Sequence, residues 1–103
     1  MKPTTPKRMY RVRVPSSVPC QELVQWLLEN VDCLSTELCA TISKEYVNVN
    51  FDYNSPPIRG GKWIIDTDIV KDSEKFRIVW DVKVANKNIA TMMKLRWTRK
   101  SIL

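Results

Sequence analysis

The chain has 103 residues, 17 Lys plus Arg against 11 Asp plus Glu, and 44% apolar residues, which fits one globular domain and is too short for two. It contains no histidine, so the commonest general base, the usual zinc ligand and every imidazole-based triad are excluded. A formal net charge of +6 favours anionic partners.

Residues 1–7 read as a flexible basic arm, and 8–103 as a single α+β domain. The first residues carry Lys2, Lys7, Arg8, Arg11 and Arg13 without the apolar run of a signal peptide. No apolar stretch reaches membrane-spanning length. An intracellular protein with no membrane partner is therefore expected. Arg8 to Val14 alternates in polarity and predicts a first strand, which Pro15, Ser16, Ser17 and Pro19 end. A helix starts near Cys20, with Leu23, Val24, Leu27, Leu28 and Val31 as its apolar stripe and Trp26 beside it. Cys33 to Ser43 fits two periods: Leu34, Leu38 and Ile42 suit a helix, whereas Leu38, Ala40 and Ile42 suit a short strand. The segment stays unassigned. Cys20, Cys33 and Cys39 are odd in number and form no CxxC pair, which points to buried or inert thiols and to neither a disulfide framework nor a metal site.

Tyr46 to Tyr53 sets Val47, Val49, Phe51 and Tyr53 against Tyr46, Asn48, Asn50 and Asp52, the pattern of a second strand. The loop Asn54 to Gly61 places Pro56 and Pro57 beside Gly60 and Gly61, the only glycines of the chain. Trp63 to Val70 and Lys75 to Ala85 both alternate and predict a hairpin. Pairing Val70 with Lys75 puts Ile69, Thr67, Ile65 and Trp63 across from Phe76, Ile78, Trp80 and Val82, and Asp68 across from Arg77. Asn86, Lys87 and Asn88 read as a tight turn into a fifth strand reaching Lys100, the rival being a terminal helix striped by Ile89, Met93 and Trp97. Trp63, Trp80 and Trp97 fall on apolar phases and are expected in the core.

The elements add up to an α+β fold in which one N-terminal helix packs on an antiparallel meander sheet of about five strands. That order is similar to the cystatin or monellin roll in topology alone. The Gln-x-Val-x-Gly loop motif of cystatins is absent, and the corresponding loop reads Asn54, Ser55, Pro56, Pro57, Ile58, Arg59, Gly60, Gly61, so the likeness adds little to a protease-inhibitor reading.

Charge is concentrated at the ends: residues 1–14 hold five basic and no acidic side chains, and residues 94–103 hold four basic and none. Brought onto one rim of the sheet, Arg11, Arg13, Lys94, Arg96, Arg99 and Lys100 form a positive surface whose natural partner is phosphate. The bland counterpart is solvation of edges and tails, which also blocks aggregation. Asp66 or Asp68 followed by Asp81-Val82-Lys83 has the outline of a metal-dependent nuclease site. Eleven acids and ten lysines in 103 residues produce about one Asp/Glu-x-Lys by accident, so no metal, cofactor or catalysis is expected. The leading expectation is a non-catalytic basic module that engages polyanion, most of all nucleic acid. The alternative is a protein-binding inhibitor or adaptor using Pro56, Pro57, Ile58 and Arg59 together with a sheet edge. An open edge also allows a homodimer.

Overall fold

The computed structural model describes residues 9–49 and 56–98. The element order is β1 (Tyr10–Pro15), α1 (Cys20–Asn30), α2 (Thr36–Ser43), a 3-10 turn (Lys44–Tyr46), β2 (Ile58–Arg59), β3 (Trp63–Asp72), β4 (Lys75–Val84), α3 (Lys87–Met93) and a turn of π-helix (Lys94–Thr98). The strands make one antiparallel sheet in the order β1-β4-β3-β2. Alternation decides which face is dry. Val12 and Val14 of β1, Trp63 and Ile65 of β3, and Trp80, Val82 and Val84 of β4 are buried together with Leu23, Val24, Leu27 and Leu28 of α1, Cys39 of α2, and Ala90 and Met93 of α3. Among the described residues no helix is long and apolar enough to cross a membrane.

The α+β class and the antiparallel sheet are as the sequence predicts. The single helix and the sheet of about five strands do not match exactly: among the described residues three helices pack with a four-stranded sheet. Three local causes are visible. Ser35 caps α2, its Oγ accepting from the Leu38 N–H at 3.2 Å, and the ambiguous 33–43 stretch becomes a helix that buries Cys39 and Ser43 and leaves Leu38 exposed. Asn86 is a helix cap, not a turn residue: its Oδ1 accepts from the Asn88 and Ile89 N–H groups at 2.7 and 3.2 Å. The predicted fifth strand is thereby α3 and the π turn, with Met93 buried and Leu95 61% exposed. Of the strand predicted over Tyr46 to Tyr53, the described part is a 3-10 turn followed by a turn at Val47 and Asn48, and the rest lies outside the described residues.

The β3–β4 hairpin forms in a register two residues away from the predicted one, with Asp72 opposite Lys75 and Trp63 opposite Val84. A slip of two keeps each side chain on its face, so hydrophobic patterning cannot detect it. The loop sets the register, because Ser73 accepts a left-handed φ of 57° and closes the hairpin in two residues. At the other end of β3 the Gly60 N–H donates to the Trp63 carbonyl at 2.9 Å. Neither glycine has a positive φ. Gly60 is needed for room, since an added methyl would overlap the Trp63 indole, whereas Gly61 faces open space.

Candidate functional site

Among the described strands β1 lies at one edge of the sheet, and the Lys94–Thr98 π turn packs directly against it. The strand that carries Arg11 and Arg13 and the turn that carries Lys94 and Arg96 therefore touch. Arg11 and Arg13 project from the sheet face away from the helices, and their side chains are 50% and 48% exposed. Lys94 and Arg96 are exposed on the π turn. Of the six basic residues expected to form a positive surface, these four lie on touching elements. Arg99 and Lys100 lie outside the described residues.

Both arginines of β1 are ion-paired. Arg11 Nε stands 3.0 Å from Asp81 Oδ1, and Arg13 Nη2 donates to Asp68 Oδ2 at 3.3 Å. Since β4 separates β1 from β3, the Arg13 side chain lies across β4 to reach Asp68. Asp81 is the unusual member, with its side chain only 8% exposed on the sheet face opposite Trp80 and Val82, where Val79 is buried as well. Its Oδ1 has the Arg11 charge close by and no aligned hydrogen-bond donor. In the observed register Asp81 sits across from Asp66, not Ile64, and Asp68 across from Val79, not Arg77. Arg11 and Arg13 thus each pair with one of the carboxylates, Asp81 and Asp68, that the strand register sets near Asp66. Among the described residues no group of three or more His, Cys, Asp or Glu side chains could hold a metal ion.

The π turn is anchored through Trp97. This indole meets Trp26 of α1 edge-on, with ring centroids 5.4 Å apart. Its Nε1–H donates to Glu22 Oε2 at 3.0 Å, and the Arg96 guanidinium lies 5.1 Å from its ring centroid. Beside it a shallow cleft of about 220 Å³ is lined by Glu22, Gln25, Trp26, Glu29 and Arg96. Two glutamates, Glu22 and Glu29, share that cleft with Arg96.

The Pro/Gly loop is split in its presentation. Pro56, Pro57 and Arg59 are exposed, whereas Ile58 pairs with Ile65 and packs against the core. The three cysteines are free thiols. Burial pushes the Cys20 thiol up to about 11. The Cys39 thiol is raised too, by burial first and by the Glu29 and Asp32 charges second. Neither is an activated nucleophile, and Cys33 alone is exposed.

Sequence reasoning missed the arginine partners because Asp68 and Asp81 become neighbours of β1 only through strand order and register. It also placed Phe76 on the covered face, which the structure corrects: Phe76 is 70% exposed. The available signal was length, since a six-residue β1 cannot flank a ten-residue β4 to its end. Compared with known proteins, the chain matches no family model, no curated protein and no solved structure.

Proposed function

We propose that the protein is a non-catalytic basic module that binds polyanion, nucleic-acid phosphates above all, along the edge formed by β1 and the Lys94–Thr98 turn. The observation that carries this reading is the packing of that turn on β1, which brings Arg11 and Arg13, on the strand face away from the helices, and Lys94 and Arg96, on the turn, to elements that touch. Half of each β1 arginine side chain remains in solvent, and a guanidinium with one carboxylate partner still has donors for a phosphate. Such contacts fix position on a backbone and carry no sequence information.

The test is a salt titration of binding to a random-sequence duplex, with variants that neutralise charge. Reversal at Arg11 or Arg13 would add carboxylates beside Asp66, Asp68 and Asp81 and confound binding with unfolding. Lys94→Gln with Arg96→Gln, and separately Arg13→Gln, are expected to weaken binding and to reduce the slope of log affinity against log salt by about 0.9 for each phosphate no longer neutralised. Absence of binding by the unmodified protein at about 50 mM salt, where such contacts are strong, overturns the reading. The protein-binding alternative then takes its place, with Pro56, Pro57 and Arg59 as its exposed contacts.

A further inference from the structure

β3 and β4 outrun their neighbours. β1 pairs with β4 only as far as Pro15 opposite Val79, and β2 pairs with β3 only at Ile58–Ile65 and Arg59–Ile64. Four cross-strand pairs, Ile69–Ile78, Val70–Arg77, Lys71–Phe76 and Asp72–Lys75, consequently have no strand on either side among the described residues. At the usual rise of a strand this ribbon is about 13 Å long. Its helix-side face presents exposed apolar side chains: Phe76 is 70% exposed and Ile69 42%, with Ile78 half-buried behind them. Among the described residues Phe76 is the most exposed large apolar side chain. Exposed cations flank it, with Lys71 directly opposite on the same face and Lys75 and Arg77 on the other, and they outnumber the acidic Asp72 and Glu74 of the same tip.

Charge decides which partner suits this surface. A second copy added antiparallel to the open β4 edge sets like charges opposite one another in each register centred on Lys75, Phe76 or Arg77. Centred on Lys75 or Arg77, the residue faces itself; centred on Phe76, Lys75 faces Arg77. Like charges in these positions destabilise a sheet, whereas the same cations suit rows of phosphate. A projecting two-stranded ribbon also has the width that a duplex groove admits, and apolar side chains inserted between base steps unstack and kink a duplex.

The geometry points to the hairpin tip as a wedge for duplex nucleic acid: Phe76 presses on a base step while Lys71, Lys75 and Arg77 meet the flanking phosphates. This rests on the polyanion reading but uses a different surface from the β1 edge. It makes the molecule a two-point clamp, one point reading only backbone and the other deforming the stack.

The experiment measures binding and unstacking together, using a duplex that carries a fluorescent adenine analogue and end labels for bending. Phe76→Ala is exposed enough to leave the melting temperature unchanged. It is expected to weaken duplex binding about tenfold and to abolish unstacking and bending without altering the salt slope. Lys71→Gln, Lys75→Gln and Arg77→Gln combined are expected to reduce that slope by about 2 to 3. Unchanged affinity and unstacking in Phe76→Ala overturn the proposal. So does a larger loss on single strands of equal length, or a conversion of dimer to monomer seen by sedimentation. Failure at the tip with the Lys94 and Arg96 effects intact removes the wedge and leaves the edge reading. The converse pattern removes the edge and leaves the wedge, and an unmodified protein that binds no duplex removes both.

Discussion

Trp80 joins the two requirements of a small core, apolar volume and a satisfied polar handle. It is 4% exposed at the centre of β4, and its Nε1–H donates to the Val18 carbonyl at 2.8 Å, tying the sheet to the chain that enters α1. Trp63 makes a similar tie from β3, donating to Asp32 Oδ2 at 3.1 Å. Trp80→Ala is expected to cost about 3–5 kcal/mol, a large part of the stability of a domain this size. A cooperative denaturant transition close to that of the unmodified protein would contradict the packing. The Arg11–Asp81 pair predicts an asymmetry. Removing Arg11 leaves a carboxylate that is nearly buried and opposite Asp66, without its cation, whereas removing the Asp81 charge leaves a half-exposed arginine and relieves the Asp66 repulsion. Arg11→Gln is therefore expected to cost about 1–3 kcal/mol and Asp81→Asn less, measured as denaturation midpoints at neutral pH. The reverse order would show that the pair is not what holds Asp81 in place.

At the scale of elements, what the sequence displayed was periodicity, and what it concealed was whatever periodicity leaves degenerate. α1, β1 and both strands of the hairpin alternate or stripe without rival, and they form where expected. The stretch after Asn86 satisfies two periods at once: Ile89, Met93 and Trp97 recur every fourth residue while alternation also persists. The cap at Asn86 decides the matter, because it meets two N–H groups that only a helix leaves without partners. Removing that cap by Asn86→Ala is expected to cost about 1 kcal/mol, seen as a lower melting temperature. The hairpin register was equally degenerate and is set by one backbone angle. At a φ of 57° an L-residue is strained by about 1–2 kcal/mol, so Ser73→Gly is expected to raise the melting temperature and Ser73→Val to lower it. Loss of stability in the glycine variant would show that Ser73 does not fix the loop. The candidate site was legible as composition, in the basic ends, but not as geometry. The ion pairs of Arg11 and Arg13 and the bare tip at Phe76 depend on strand order and relative strand length.

For the whole molecule the net charge of +6 has opposite consequences for the free and bound states. The free chain repels itself, and added salt screens that repulsion. Its melting temperature should therefore rise modestly with ionic strength. With a polyanion bound only to the folded state, stability gains an amount that grows with ligand concentration relative to the dissociation constant, and that constant rises steeply with salt as counterions cease to be released. The melting temperature of the complex should accordingly be highest at low salt and fall until it meets the rising curve of the free protein. Parallel thermal melts with and without a random-sequence duplex, taken from low salt upward, check this directly. Convergence of the two curves is expected. A gap that persists unchanged at high salt would place the binding energy in uncharged contacts, and an absent gap at low salt would mean that the clustered cations only solvate the fold.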